Sequence, residues 1–206
     1  AGKEVHAKSG GLGNCDKRRV KAGTSELTRE AGLNSEMMAD LVRQLCQIRD
    51  AYGEVLLVTS GAIAAGRATL GSITKDVGTD ISSRQVFAAV GQTRLMNTYQ
   101  EMFAKHGAQI AQTLLTIPDL SNRQSYLNVG NTLQRLLERR VVPVVNENDV
   151  VAVDEIGEVF GDNDRLSALV ANLVDADLLL ILTDTEGLYS ADPRNNPDAT
   201  LIAAVP

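Results

Sequence analysis

The chain has 206 residues, of which 44% are apolar and 22% charged, as in a globular domain with a core of its own. Aromatic residues make up 3% of the chain and Trp is missing, so the core must be built from aliphatic side chains. The 20 Lys and Arg against 26 Asp and Glu give a net charge of −6, which excludes a general electrostatic attraction to nucleic acid or to an anionic membrane.

The first half of the chain starts irregularly and then alternates between helical and extended patterns. Residues 1–16 are polar, Gly-rich and aperiodic, and we interpret them as a flexible or vector-derived tail ahead of one domain at 17–206. Apolar residues at three- and four-residue spacing predict a helix over 36–52, capped by Asn34 or Ser35. The apolar run 54–58 predicts a strand buried on both faces, followed by an Ala-rich helix.

The same alternation continues to residue 182. The further predicted helices are 83–105 (possibly broken near Gly91), 122–139 and 166–174, and the further predicted strands are 108–115, 141–145 (with Pro143 inside it) and 178–182. Such alternation predicts an α/β fold, a three-layer αβα sandwich around a mainly parallel sheet. The longest apolar runs are too short to span a bilayer and no charged-then-apolar leader opens the chain, so we predict a cytoplasmic protein.

Polar residues follow the apolar runs at four places, where ligands bind in open parallel sheets. After Val20 comes Lys21-Ala-Gly-Thr-Ser25, which combines an ammonium, a turn and two hydroxyls suited to phosphate oxygens. After Val58 comes Thr59-Ser-Gly-Ala62, where Gly61 lets backbone approach a ligand closely. The remaining places are Asn146-Glu-Asn-Asp149 and Thr183-Asp184, with the acidic cluster Gly161-Asp-Asn-Asp164 between them.

Each of these segments also has a purely structural reading. Gly-Thr-Ser is more often a plain turn, Ser60 could cap the next helix, and the acidic segments could be solvated loops. Taken singly, the structural readings are favoured, whereas the set in this order at strand ends favours a ligand site. The two cysteines, Cys15 and Cys46, and the two isolated histidines form no disulfide framework or metal-ligand pattern, so no protein metal site is predicted.

Longer segments give the set an identity. The order VKAGTS, VTSGAIAAGR, AAVGQTRLM, PVVNENDVVA, VFGDNDRLSALVA and LLILTDTEGLYSADPR resembles the glutamate 5-kinase family of the amino-acid-kinase superfamily, from Lys21 almost to the last residue. The resemblance implies the amino-acid-kinase fold and transfer of the γ-phosphate of ATP to the side-chain carboxylate of L-glutamate, the first step of proline biosynthesis. Charged residues at 16–19 stand where family members have an apolar strand.

The resemblance also implies roles for individual residues. Lys21 would touch the phosphates of ATP, over a loop shaped by Gly23, Thr24 and Ser25. Ser60, Asp149 and Asn163 would bind glutamate, with Gly61 and Asp162 in the same substrate loops. Asp164 would orient the catalytic Lys21, and Thr183 and Asp184 would line the nucleotide pocket.

The implied chemistry needs no covalent intermediate and no general base, because a carboxylate is already a nucleophile at neutral pH. Both reactants are anionic, so the task is alignment and charge compensation, with Mg²⁺ bridging the β- and γ-phosphates of ATP. The resemblance further implies feedback inhibition by proline and a homodimer or homotetramer.

In the family, a Gly-rich loop with a second catalytic lysine follows the position of Pro206. We therefore expect this chain, by itself, to hold the glutamate half of the site and to show weak or no kinase activity. Two alternatives stay open: another carboxylate kinase of the same fold, acting on acetylglutamate or aspartate, and a non-catalytic module that binds glutamate or proline.

Overall fold

The computed structural model describes residues 27–29, 32–71, 80–152, 163–183 and 186–204. The strands are β1 (Thr28–Arg29), β2 (Gly32–Leu33), β3 (Leu57–Val58), β4 (Ile110–Leu115) and β5 (Val142–Glu147). The helices are α1 (Ser35–Tyr52), α2 (Ala62–Gly71), α3 (Ile81–Ala104), α4 (Ile117–Ser121), α5 (Arg123–Glu138) and α6 (Asn163–Leu173). The predicted tail at 1–16 lies outside the described residues, and the domain boundary at 17 stays a prediction.

A parallel sheet of three strands organises the chain, in the order β3-β5-β4. In β3 and the residues before it, Val55 and Leu57 point into one apolar cluster, whereas Leu56 and Val58 point into another. Both sets are buried, as expected where side chains alternate across a sheet that is covered on both faces.

Helices supply the other half of each cluster. The cluster on one face contains residues of α1 and α3, such as Leu45 and Leu95. The cluster on the opposite face contains residues of α5 and α6, such as Leu133 and Val170. The predicted three-layer αβα arrangement around a mainly parallel sheet is therefore confirmed. None of the helices in the described ranges combines the length and the apolar character needed to cross a bilayer.

Local signals explain several element boundaries. Asn34 caps α1, because its side-chain oxygen accepts a hydrogen bond from the N–H of Met37 at 3.3 Å. The short helix α4 was not predicted, although Thr116 and Asp119 form a reciprocal capping box at its start. Helix α6 begins at Asn163, three residues before the predicted start at Leu166, which places Asn163 in its first turn.

Pro143 is accommodated in the central strand by the direction of its backbone. The N–H of Val142 donates to the carbonyl oxygen of Gln109, on the side of β4. Backbone N–H groups alternate in direction along a strand, so the nitrogen of Pro143 faces the side of β3. The pairing with β3 begins one residue later, at Leu57 and Val144, where the missing N–H is no longer needed.

One prediction about secondary structure was wrong. Residues 178–182 form no strand: Leu180 and Leu182 pack partly buried against the first cluster, but Ile181 is 44% exposed. This apolar run thus packs against the core without pairing with any strand in the described part of the chain. Helix α3 is continuous through Gly91, so the break considered at that residue does not occur.

Gly91 instead allows α2 and α3 to cross closely. A Cβ atom at Gly91 would lie 1.8 Å from the carbonyl oxygen of Ala62, and one at Gly66 would lie 1.8 Å from that of Phe87. Both glycines are therefore needed for backbone-to-backbone approach rather than for a turn. Because Ala62 is the first residue of α2, this crossing places the start of that helix directly against α3.

We predict that Gly91→Ala lowers the free energy of unfolding by about 1–3 kcal/mol, because the two helices must separate to admit the methyl group. The matched control is Gly71→Ala at the end of α2, where an added Cβ meets no described atom within 4 Å. That control should be neutral or stabilising by up to about 1 kcal/mol. Urea unfolding of both variants measures the difference, and equal stability for the two would contradict the close crossing.

Candidate active site

The carboxyl ends of the three parallel strands meet at one edge of the sheet. Val58 pairs with Val145, so Thr59 and Ser60 leave β3 beside Asn146 and Glu147 of β5. The chain after β5 is held to the same edge, because the N–H of Asn148 donates to the carbonyl oxygen of Leu115 at 2.8 Å. Polar residues from two separate parts of the chain are thereby brought together.

Thr59 is the connecting residue of this edge and is fully buried. Its N–H donates to the carbonyl oxygen of Val145 at 2.8 Å, which extends the pairing with β5 by one residue. Its own carbonyl oxygen accepts a hydrogen bond from the side-chain Nδ2 of Asn163 at 3.1 Å. Its hydroxyl lies 2.8 Å from the hydroxyl of Tyr99 on α3.

Two polar atoms beside Thr59 are buried without a hydrogen-bond partner among the described residues: Oγ of Ser60 and Oδ1 of Asn163. Both side chains are more than nine-tenths buried, at 7% and 5% exposure. An unsatisfied buried polar group costs about 1–3 kcal/mol, and such groups are rare in folded proteins. A bound ligand that supplies their partners would remove this cost, which makes the pair the centre of the candidate site.

Backbone geometry at this edge also favours an anionic ligand group. Gly61 adopts φ 105°, in the left-handed region that favours glycine, and α2 starts at the next residue. Helix α6 starts at Asn163, so two helix N-termini border the candidate site. The first N–H groups of a helix lack partners within the helix, and the helix dipole adds partial positive charge there. A carboxylate is therefore favoured beside Ser60.

Helix α3 contributes two polar side chains that contact residues of this edge and that the sequence did not predict. Tyr99 bonds to Thr59, and Gln92 accepts a hydrogen bond from Nδ2 of Asn146 through its Oε1 at 2.9 Å. Nε2 of Gln92 is a third buried polar atom without a partner among the described residues. Gln92 and Tyr99 lie on the same face of α3 as the fully buried Leu95 and Phe103. Polar residues within such an apolar stripe are the sequence signal that could have revealed them.

Of the other predicted site residues, three lie in the described part of the chain and six lie outside it. Asp149 lies partly buried in the turn after β5, at the same edge as Ser60. Asp164 is exposed in the first turn of α6, next to Asn163, and its carbonyl oxygen accepts a hydrogen bond from Ser167. Thr183 is partly buried directly after Leu182. The predicted residues that lie outside the described part of the chain are Lys21, Gly23, Thr24, Ser25, Asp162 and Asp184.

Burial raises the pKa of the Tyr99 phenol above its usual range, although the hydrogen bond with Thr59 opposes the shift. A phenol in the unfolded chain ionises at about pH 10. Since the folded protein holds the proton more tightly, this group leaves stability unchanged below about pH 10 and lowers it as the pH rises further.

We therefore predict that Tyr99→Phe makes the free energy of unfolding less dependent on pH above about pH 10. The control is Phe103→Leu, at a fully buried residue of the same helix that carries no titratable group, which should keep the slope of the parent. Urea unfolding between about pH 8 and about pH 11, a range that brackets the phenol pKa of about 10 in the unfolded chain, measures both slopes. An unchanged slope for Tyr99→Phe would contradict the burial of this phenol.

Comparisons with known proteins agree with this architecture. The model of the amino acid kinase family matches residues 20–206. A glutamate 5-kinase of Dehalococcoides mccartyi is 56% identical over 196 residues, which cover 94% of this chain and 52% of that protein. A glutamate 5-kinase of Photorhabdus laumondii is 52% identical over 187 residues, which cover 90% of this chain and 50% of that protein. The chain thus spans about half the length of the curated relatives it matches.

A solved structure shares the fold at much lower sequence identity. The crystal structure of a T. acidophilum isopentenyl phosphate kinase in a product complex superposes with a TM-score of 0.57 and 20% identity. The match covers 90% of this chain and 78% of that protein. At this identity the likeness concerns the fold alone.

Proposed function

This chain belongs to the amino acid kinase family, and on that premise we propose that it carries the glutamate-binding part of a glutamate 5-kinase. Such an enzyme transfers the γ-phosphoryl group of ATP to the side-chain carboxylate of L-glutamate. Identities of 52–56% to proteins of that name, over 90–94% of this chain, support the choice of substrate. The predicted alternatives, an acetylglutamate or aspartate kinase and a non-catalytic glutamate or proline sensor, are supported by no described residue in particular.

The observation that carries the proposal is the buried, unpartnered pair of atoms at the end of β3. Oδ1 of Asn163 can only accept hydrogen bonds, which suits the α-ammonium group of an amino acid. Oγ of Ser60 can donate to a carboxylate oxygen, beside the start of α2. Asp149 offers a second acceptor for the ammonium group from the turn after β5. These three groups match the α-ammonium group and a carboxylate group of a free amino acid.

Transfer to glutamate follows from positioning. An oxygen of the side-chain carboxylate attacks the γ-phosphorus of ATP, and the bond between that phosphorus and the β–γ bridging oxygen breaks. The electron pair leaves with ADP, and the acceptor becomes L-glutamyl 5-phosphate. The carboxylate has no proton to lose, so the residues of this chain bind and align rather than act as a base.

The nucleotide half of the site remains a prediction. Lys21 would contact the phosphates of ATP above the loop of Gly23, Thr24 and Ser25, with Asp164 orienting the lysine. Thr183 and Asp184 would line the nucleotide pocket, and Asp162 would lie beside Asn163. Mg²⁺, bound through the phosphates of ATP, would offset the charge that develops during transfer. Inhibition by proline, assembly into a homo-oligomer and a cytoplasmic location likewise stay predictions.

Binding of L-glutamate tests the proposal without requiring turnover. Calorimetry should detect L-glutamate binding to the parent chain and much weaker binding of acetylglutamate and aspartate. Ser60→Ala and Asn163→Ala should each weaken L-glutamate binding about tenfold or more, because each removes a buried hydrogen bond to a charged ligand group. The matched control is Asn128→Ala, at an exposed asparagine on α5, which should bind as the parent does.

Three results would contradict the proposal. Equal binding of acetylglutamate would favour another carboxylate kinase of the fold. Unchanged affinity in both site variants would remove Ser60 and Asn163 from the site. Undetectable binding of L-glutamate by a folded parent chain would reject this substrate for the residues described.

A further inference from the structure

We propose that Tyr99 is a positioning residue of the substrate site. Its hydrogen bond with the hydroxyl of Thr59 orients Thr59, whose hydroxyl holds the carbonyl group of Ser60 and whose carbonyl group holds the amide of Asn163. The inference rests on the proposed function for the identity of the ligand, whereas the positioning itself concerns contacts within the chain. Tyr99 lies on α3, far from the polar residues that mark the strand ends in the sequence.

The first step is the requirement of the Tyr99 hydroxyl for a partner. Tyr99 is fully buried in an apolar cluster, with its ring 6.2 Å from that of Phe103. A buried hydroxyl in such surroundings must be hydrogen-bonded, and its contact at 2.8 Å is Oγ1 of Thr59. The contact therefore selects the side-chain rotamer of Thr59 that points its hydroxyl towards α3.

The second step is the direction of the hydrogen bonds. Oγ1 of Thr59 donates to the carbonyl oxygen of Ser60 at 3.3 Å. Either hydroxyl can donate in the 2.8 Å contact between Oγ1 of Thr59 and the phenol of Tyr99. When Oγ1 donates its single proton to Ser60, it accepts from the phenol, and a chain of hydrogen bonds runs from Tyr99 through Thr59 to the carbonyl group of Ser60.

The third step concerns the two peptide groups that flank Ser60. The peptide before Ser60 is held at its carbonyl oxygen, on Thr59, by Nδ2 of Asn163 at 3.1 Å. The peptide after Ser60 is held at its carbonyl oxygen by the hydroxyl of Thr59. Ser60 is thereby fixed between two restrained peptides, directly before Gly61 and the start of α2.

The fourth step links this restraint to the ligand. The bond from Nδ2 of Asn163 to Thr59 determines which way the side-chain amide is turned, and so leaves Oδ1 free for a ligand. A shift of the Thr59 peptide would move the Ser60 hydroxyl and the Asn163 amide together. Loss of the Tyr99 hydroxyl should then weaken ligand binding although Tyr99 does not contact the ligand.

The alternative is that Tyr99 merely fills the core. Tyr99→Phe separates the two roles, because it keeps the ring and removes the hydroxyl. Thr59→Val breaks the same chain from the other end while keeping the shape of the side chain, and Thr59→Ser keeps the hydroxyl. Phe103→Leu is the matched control: the residue is also fully buried on α3 and its ring packs against that of Tyr99, so its change removes core contacts of Tyr99 but none of the hydrogen bonds of the hydroxyl chain.

Two measurements on the parent and these variants test the inference. The side-chain amide resonances of Asn163, assigned in an ¹⁵N-labelled sample with Asn163→Asp, report on its bond to Thr59 without any ligand. Calorimetry with L-glutamate reports the consequence for binding. Urea unfolding places the variants on a common scale of stability.

We expect Tyr99→Phe and Thr59→Val to shift the Asn163 amide resonances and to weaken L-glutamate binding roughly fivefold to tenfold, as for the loss of one hydrogen bond. The double variant should bind L-glutamate no more weakly than the weaker-binding of the two single variants, because both changes break the same chain of hydrogen bonds. Thr59→Ser should restore the resonances and the affinity. Phe103→Leu should retain the Asn163 resonances and the L-glutamate affinity of the parent, although its urea midpoint is as low as that of Tyr99→Phe.

Unchanged Asn163 resonances in Tyr99→Phe would overturn the inference, and so would an equal loss of affinity in Phe103→Leu. If the resonances shift as expected but the parent binds no L-glutamate, the positioning role of Tyr99 stands and the proposed substrate fails. The two proposals are thus tested separately by one set of variants.

Discussion

The hydrogen bonds of Thr59 are the interaction on which the architecture of this edge depends. One residue joins the central strand through its N–H, helix α6 through its carbonyl oxygen and helix α3 through its hydroxyl. These partners come from three distant parts of the chain and from both faces of the sheet. Because Thr59 is fully buried, water cannot compete for any of the three bonds, and each partner is restrained by the others.

Two unsatisfied atoms lie beside this residue. The hydrogen bonds of Thr59 with Val145, Asn163, Tyr99 and Ser60 leave Oγ of Ser60 and Oδ1 of Asn163 without partners among the described residues. A ligand bound at this edge would meet polar groups that are already oriented and dehydrated, so the proposed site is preorganised.

Sequence patterns predicted most of the helices and three of the strands, because burial of one helical stripe or of both strand faces leaves a direct pattern in the sequence. The same rule failed at 178–182, where an apolar run lies on the core without pairing with a described strand, since composition does not reveal a hydrogen-bond partner. Ser60 and Asn163 were predicted from motifs that resemble a family, and the structure brings them together. The roles of Thr59, Tyr99 and Gln92 depend on strand register and on which face of α3 meets the sheet, and neither can be read from neighbouring residues.

The central claim is that the edge between β3 and β5 binds the α-ammonium group and a carboxylate group of a free amino acid. A crystal structure of the protein grown with L-glutamate tests it most directly. The account predicts ligand density at this edge, with Oγ of Ser60 and Oδ1 of Asn163 each within hydrogen-bond distance of the ligand. Density for L-glutamate elsewhere, with both atoms still unpartnered, would contradict the account.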